Sequence, residues 1–282
     1  MENAEPINYG YNKLYGQGES AADHVVNLVP RGSRILELGA GPGSITRRLT
    51  GEAGCRVTAV ELMDSFLPHL LPYSERVVQA NLNDADWPSA VGEGERFDVI
   101  VAADVLEHLE RPAELLRACQ PMLGSGGSVI ISLPHIGHCV IHACLLDEDF
   151  EYREWGLLDA THIRFFGLRN MQNLVADAGL KVVDVRFVSR MPEDTEYADR
   201  WREAPNDLKA AVLKNPFAFV YQCVLRAVPV TAPGEALYIM DHAATYRPTV
   251  TAMMRVNRLL KRLLPEGLYL ACRRMYGAVS RK

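Results

Sequence analysis

The sequence lacks the features of membrane, secreted and disulfide-bonded proteins. No apolar run approaches the roughly 18 residues that a membrane-spanning helix needs. The N-terminal stretch MENAEPINYGYNK is polar and has no apolar segment of the kind found in signal peptides. The six cysteines are scattered, with no C-x-x-C pair, which predicts free thiols in a reducing compartment. Together these absences predict a cytoplasmic protein.

The composition is that of a globular protein with an uneven charge. The chain has 282 residues, of which 48% are hydrophobic and 23% charged, enough for one large core. The net charge is −5, but residues 247–282 hold nine Lys or Arg and a single acid, Glu266, which gives this segment +8. The rest of the chain therefore carries −13.

The basic C-terminal segment is also amphipathic. In TVTAMMRVNRLLKRLL the basic residues lie largely off an apolar helical face that contains Met253, Val256, Leu260, Leu263 and Leu264. The pattern predicts a helical extension that docks on the acidic body or on a second copy of the chain, or that contacts an anionic membrane surface. Nucleic acid is not an expected partner, because the body is acidic and has no stripe of aromatic and basic residues.

Short apolar runs alternate with helical patterns along most of the chain. This alternation predicts βαβ units and a parallel sheet covered on both faces. Strands are expected at 34–38, 56–61, 76–80, 97–102, 127–133, 181–188 and 216–230. Helices are expected at 11–29, 43–53, 64–71, 112–123 and 168–178. The predicted fold is therefore α/β, with a doubly wound, mostly parallel sheet of seven strands.

The most informative motif is RILELGAGPG at residues 34–43. A strand ends in an acid, Glu37, and a tight turn follows. The turn has glycine at every second position, at Gly39, Gly41 and Gly43. Glycines let the backbone turn sharply and approach a ligand closely. About twenty residues further on, the second strand ends in Glu61, an acid placed where it can accept both hydroxyls of a ribose.

This combination resembles the class I S-adenosylmethionine-dependent methyltransferases, over about residues 11–230. The resemblance implies a Rossmann-like methyltransferase fold, in which the last strand inserts antiparallel beside the fifth, and S-adenosylmethionine as the cofactor. It also implies that Glu37 and the glycine turn face the methionine part of the cofactor. Glu61 would bind the ribose, and Leu62 would flank the adenine.

Two further elements complete the implied cofactor site. The family normally has an acid after the third strand, where this chain has Asn81 and Leu82; an amide oxygen can still accept from the adenine amino group. Residues 97–116 resemble the ubiquinone-biosynthesis-like branch through the sequence VLEHL. There Asp104 is expected to line the methionine end. His108 is a candidate base, since neutral imidazole accepts a proton near pH 7, or else it only shapes the pocket.

Residues 134–166 form an unusually long connection, which we interpret as a substrate cap. Its stretch GLLDATHIRFF resembles a subset of these methyltransferases associated with tailoring sugars and secondary metabolites. His162, oriented by Asp159, is a second candidate base; the alternative is a fixed loop without a catalytic role. The residues expected to bind substrate are His135, His138, Asp159 and Arg164.

A metal ion is not expected. The cap histidines His135, His138 and His142 are close in sequence, but no acid accompanies them at helical spacing. Oxygen-rich sites suit magnesium better than imidazole does.

The favoured function is O-methylation of a hydroxyl on a small-molecule or glycan-type metabolite. N-methylation or carboxyl-methylation of a small metabolite is the alternative, and a non-catalytic cofactor-binding or scaffold protein is an alternative of another class. The expected division is a methyltransferase domain at 1–230 and a basic amphipathic extension at 231–282.

Overall fold

The structure is a computed structural model that describes residues 20–244. The expected extension at 231–282 lies outside these residues from 245 onward, and so does the part of the predicted first helix before Ser20. The strands are β1 (Arg34–Leu38), β2 (Arg56–Glu61), β3 (Arg76–Gln79), β4 (Phe97–Ala103), β5 (Leu123–Pro134), β6 (Leu180–Ser189) and β7 (Val220–Pro229).

All seven strands form one sheet, in the order β3-β2-β1-β4-β5-β7-β6. Neighbouring strands among β1 to β5 are parallel, and β7 lies antiparallel between β5 and β6. This confirms the predicted α/β fold and the antiparallel last strand. The strand order reverses between β1 and β4, and ligands bind in the crevice outside the carboxyl ends of strands at such a point.

Helices cover both faces of the sheet. They are α1 (Ala21–Leu28), α2 (Ser44–Gly51), α3 (Leu67–Leu70), α4 (Trp87–Val91), α5 (Pro112–Cys119), α6 (Cys139–Leu146), α7 (Leu168–Asp177), α8 (Ala198–Glu203) and α9 (Asn206–Val212). The adjacent β1 residues Ile35 and Leu36 belong to different buried clusters, as alternation across a two-sided sheet requires. Each described helix is too short or too polar to cross a lipid bilayer.

The start of α1 is fixed by a capping box. The Ser20 hydroxyl accepts from the Asp23 N–H at 3.2 Å, and the Asp23 carboxylate accepts from the Ser20 N–H at 2.8 Å. This reciprocal pair satisfies two donors at the helix end. The helix therefore begins at Ala21, whereas the sequence pattern predicted a start at residue 11.

The segment predicted as a cap contains a helix that the pattern did not indicate, α6. Its side chains pack with residues that follow β6 into a small separate core, which includes Cys139, Ile141, Leu158, Tyr197 and Trp201. The polar stretch 190–209, which was not assigned structure, supplies α8 and the start of α9 to this layer. The cap is thus a packed layer above the carboxyl ends of β4 and β5.

Candidate active site

The glycine turn joins β1 to α2 in a left-handed backbone conformation. Gly39, Gly41 and Gly43 have φ of 63°, 54° and 81°, a region that side chains other than glycine rarely adopt. A Cβ on Gly39 would lie 2.7 Å from Val105 Cγ2, so the turn contacts the loop after β4. A Cβ on Gly41 would meet no atom within 4 Å. The turn therefore leaves open space at Gly41, as a ligand cradle requires.

Glu61, at the end of β2, holds the turn in place. Its carboxylate is buried and accepts from the Gly41 N–H at 2.7 Å through Oε2. Its Oε1 accepts from the N–H groups of Leu62 and Met63, each at 2.8 Å. The sequence predicted an acid at this point, and the structure places it directly against the glycine turn.

Glu37 lies at the end of β1 and is buried with only 3% of its surface exposed. It accepts from the Thr46 hydroxyl at 2.7 Å. Burial raises the pKa of Glu37 to about 7; the Thr46 hydrogen bond opposes the rise, and the charge of Glu61 adds to it. This carboxyl therefore changes charge in the neutral pH range.

The residues predicted to surround the adenine lie at the same edge. Leu62 is exposed, at 54%, and Leu82 packs partly against the core. The Asn81 side chain is engaged locally: its oxygen accepts from the Asn83 N–H at 3.0 Å, and its amide donates to Asp84 at 3.1 Å.

Asp104 follows β4 with a φ of 54°, a strained conformation of the kind that clusters at functional sites. Its carboxylate accepts from the Ser132 hydroxyl at 2.7 Å and from the Gln222 amide at 3.1 Å. Ser132 and Gln222 come from β5 and β7. Neither residue was expected from the sequence, because nothing local marks them as partners of a residue that follows another strand.

His108 ends a short 3-10 turn, Leu106–His108, in the same loop. Its Nδ1 lies 3.2 Å from the backbone oxygen of Thr161 and 3.1 Å from the Thr161 hydroxyl oxygen. The Thr161 hydroxyl in turn donates to Asp159 at 2.6 Å. The Nδ1 atom of His108 is therefore engaged by Thr161 of the cap. The other ring nitrogen, Nε2, points away from these contacts because it lies on the opposite side of the ring.

His162 lies beside His108, with the ring centroids 4.8 Å apart. Its side chain is 7% exposed, and its Nε2 is 3.9 Å from the Glu107 carboxylate. Burial lowers the pKa of His162, and burial raises the pKa of Glu107 well above its usual range. Both shifts favour the neutral forms. The sequence pattern assigned no role to Glu107, the acid in VLEHL. Its Oε2 is buried and has no hydrogen-bond partner within residues 20–244.

Glu107, His108 and His162 are also the described residues that could together hold a metal ion, because one ligand atom from each lies within 4.8 Å of the others. The cap histidines do not form such a group in the described chain. His135 Nδ1 lies 3.1 Å from the Val220 carbonyl oxygen, and His138 Nε2 lies 2.9 Å from that of Arg190.

The remaining residues predicted to bind substrate divide into buried and exposed positions. Burial lowers the pKa of His135 and of His138 to about 4, so both rings are neutral. Asp159 is buried, and its side chain bonds Thr161, whereas we expected it to orient the His162 ring. Arg164 is exposed and donates to the Glu110 carbonyl at 2.6 Å.

Comparison with known proteins shows which family this arrangement belongs to. Residues 16–185, well over half of the chain, match the family described as a methyltransferase domain. The chain is a class I S-adenosylmethionine-dependent methyltransferase. The enzyme and cofactor expected from the glycine turn and Glu61 are thereby confirmed.

Relatives of this methyltransferase include ubiquinone biosynthesis O-methyltransferases. That of Aromatoleum aromaticum is 30% identical over 171 residues, 59% of this chain and 72% of its own length. That of Xanthomonas axonopodis pv. citri is 29% identical over 107 residues, and the match spans only 44% of its length. A chain from the complex of the Haloferax volcanii Trm112 methyltransferase activator with a methyltransferase shares the fold. It matches with a TM-score of 0.50 at 15% identity, over 74% of this chain and 89% of that one.

The open space at Gly41 allows a test of whether the glycine turn binds the methyltransferase's cofactor. Gly41→Ala should leave the chain folded, because no atom obstructs the new methyl group. It should weaken cofactor binding about tenfold or more, because the added methyl group would occupy space that the cofactor needs. A tenfold loss of affinity corresponds to about 1.4 kcal/mol of binding free energy. Calorimetric titration with S-adenosylmethionine measures this.

Gly54→Ala is the matched control for that variant. Gly54 has φ of 66° and equally open space, but it lies between α2 and β2. Both variants should lose similar stability through left-handed strain, about 1–2 kcal/mol. Equal cofactor affinity in the two variants would show that the space at Gly41 is not a cradle.

Proposed function

We propose that the protein transfers the methyl group of S-adenosylmethionine to a hydroxyl oxygen of a small-molecule or glycan-type metabolite, as a tailoring enzyme of secondary metabolism. The observation that carries this proposal is the placement of His108. One ring nitrogen is held by Thr161, and the other remains to accept a proton, in a loop that contacts the glycine turn. The described cysteines are all buried and free, which supports a reducing, cytoplasmic setting.

The glycine turn and its acids are our proposed cofactor residues. Glu37 and the turn of Gly39, Gly41 and Gly43 would hold the methionine part, together with Asp104. Glu61 would take the ribose hydroxyls; its carboxylate already accepts three backbone N–H groups, and its oxygens retain lone-pair capacity. The residues proposed around the adenine are Leu62, Asn81 and Leu82.

The bound cofactor supplies a methyl group on a sulfonium, which is a good leaving group, so the protein's main tasks are alignment and proton removal. We assign proton removal to His108. The neighbouring His162 has a side chain that is 7% exposed and lies against Glu107, so we assign it the role of bordering the acceptor. The activity for which these relatives are named, O-methylation in ubiquinone biosynthesis, supports oxygen as the acceptor atom.

The cap is the proposed substrate layer. Asp159 fixes the segment that meets His108, and the exposed Arg164 lies at the same edge. The rings of His135 and His138 are bonded to backbone carbonyl oxygens. We therefore propose that they shape the substrate site by holding the backbone around it.

A panel of acceptors tests the proposal. Each hydroxylated candidate is paired with its deoxy, amino or carboxylate counterpart, and release of S-adenosylhomocysteine is measured. We expect turnover with a hydroxyl compound and none with its deoxy partner. Turnover only with amines or carboxylates would replace the proposal with its alternative, and cofactor binding without turnover on any acceptor would favour a scaffold.

The charge of Glu37 predicts a pH dependence of cofactor binding. The folded pKa of about 7 lies above the ordinary value of 4.5, so the carboxyl is protonated below pH 7 and ionised above it. An ionised Glu37 would attract the cofactor's amino group, whose pKa is about 8. Affinity should therefore rise roughly tenfold from about pH 5.5 to pH 7, as one proton is released per complex.

Glu37→Gln is the control for this pH effect. Its amide oxygen can still accept from Thr46, but it carries no charge at any pH. We expect weak affinity that is flat with pH in this variant. A wild-type affinity that is equally flat between the two pH values would remove Glu37 from the cofactor's charged end.

A further inference from the structure

We propose that Thr161 is a positioning residue for His108. It fixes the imidazole as the tautomer with the proton on Nδ1 and the lone pair on Nε2, and Asp159 fixes Thr161 in turn. The inference rests on the proposed function, in which His108 takes the proton of the acceptor hydroxyl. It adds to that function a residue of the substrate cap that orients the base.

The direction of each hydrogen bond decides the tautomer. The backbone oxygen of Thr161, 3.2 Å from His108 Nδ1, can only accept. The Thr161 hydroxyl oxygen lies 3.1 Å from the same nitrogen, and its hydrogen is donated to Asp159 Oδ1 at 2.6 Å. Both oxygens therefore present lone pairs to Nδ1, which must carry the proton. A neutral imidazole then has its lone pair on Nε2, where a base needs it.

Asp159 makes Thr161 a rigid acceptor. Its carboxylate is buried, with 5% exposed. Its Oδ1 accepts from the Thr161 backbone N–H at 2.8 Å as well as from the hydroxyl. Thr161 is thus held by both backbone and side chain, and its hydroxyl cannot turn to donate to His108 without losing a charge-assisted bond.

The same segment of the cap is joined to the loop of His108 a second time. The N–H groups of Ile163 and Arg164 both donate to the Glu107 carbonyl oxygen, at 3.0 Å each. His108 and Thr161 are 53 residues apart in sequence, so only the folded cap brings them together. The orientation of the base therefore depends on the position of the cap.

Paired variants at Thr161 provide the test. Thr161→Val keeps the shape and the backbone oxygen but removes the hydroxyl, while Thr161→Ser retains the hydroxyl as the matched control. We expect kcat of Thr161→Val to fall roughly three- to tenfold, the size of one lost hydrogen bond, with KM and cofactor affinity unchanged. Thr161→Ser should restore kcat to near the wild-type value.

Nitrogen-15 NMR of histidine-labelled protein reads the tautomer without any acceptor substrate. The His108 signals are assigned by their loss in His108→Gln. The proposal predicts the Nδ1–H tautomer in wild type and Thr161→Ser. It predicts a larger fraction of the Nε2–H tautomer in Thr161→Val, where the backbone oxygen is the one Thr161 acceptor that remains for Nδ1. A purely structural role for Thr161 would lower the melting temperature without changing this ratio.

The outcomes separate the positioning role from the proposed function. An unchanged tautomer and unchanged kcat in Thr161→Val would overturn the positioning role, even if His108→Gln abolishes turnover. Full turnover in His108→Gln would instead overturn His108 as the base. A wild-type His108 with its proton on Nε2 would overturn the inference directly.

Discussion

Replacing His108 with glutamine is expected to lower turnover by roughly 10²–10⁴-fold, the usual contribution of a positioned general base. Glutamine retains hydrogen-bonding groups but cannot take a proton at neutral pH. Cofactor affinity should stay nearly unchanged, because the ring is held by Thr161 and not by the glycine turn. Steady-state kinetics and calorimetric titration of the same preparation measure the two effects separately.

Three comparisons make the His108 result decisive. His242→Gln, in the 3-10 turn Ile239–Ala244 that packs against α7 and β6, should retain full turnover. His162→Gln should be less impaired than His108→Gln. Removal of divalent ions with a chelator should leave wild-type turnover unchanged, because the proposed base is the His108 imidazole itself and needs no metal ion held by Glu107, His108 and His162.

A different result would reassign the chemistry. If His108→Gln and His162→Gln both retain wild-type turnover, neither histidine is a general base. The rate would then come from the alignment of the acceptor with the methyl group alone. A carboxylate acceptor fits that outcome, because it needs no base. Activity that is lost with the chelator and recovered with a divalent ion would make the cluster a metal site.

Glu61→Ala should lower the affinity for S-adenosylmethionine at least about tenfold. In the proposed site the substitution removes a carboxylate acceptor for two ribose hydroxyls, and charge-assisted hydrogen bonds contribute roughly 1.5–3 kcal/mol each. It also leaves the N–H groups of Gly41, Leu62 and Met63 without their acceptor. The variant should therefore melt at a lower temperature as well, and calorimetric titration well below that temperature measures the affinity.

Glu61→Gln separates these two effects. Its amide oxygen can keep part of the backbone bonding, so stability should fall less, while the lost charge should still weaken cofactor binding. Glu93→Gln, at an exposed carboxylate before β4, serves as the control. If Glu61→Gln and Glu61→Ala both bind the cofactor as wild type does, Glu61 supports only the turn.

The sheet could be predicted from the sequence because its strands are short, apolar and separated by clear helical patterns. The boundaries of β1 and β2 agree with the expectation, and the antiparallel β7 followed from the family resemblance. The glycine turn and Glu61 were also predicted to belong to one site, and the structure joins them through the bond from the Gly41 N–H to Glu61.

The cap could not be predicted in the same way. The α6 sequence CVIHACLL is apolar around the whole helix, and a short apolar run does not distinguish a buried helix from a strand. The contacts of Asp104 with Gln222, and of His108 with Thr161, join residues 118 and 53 positions apart. Such pairs depend on how the cap and β7 pack, which local patterns do not encode.

The most direct test of the central claim follows the methyl group itself. The purified enzyme is incubated with S-adenosylmethionine labelled in its methyl group and with metabolite extracts, and the labelled product is fragmented by mass spectrometry. The account predicts one labelled methyl group on a hydroxyl oxygen, formed by wild type and strongly reduced in His108→Gln. A label found only on nitrogen or on a carboxylate, or no labelled product from any extract, would contradict it.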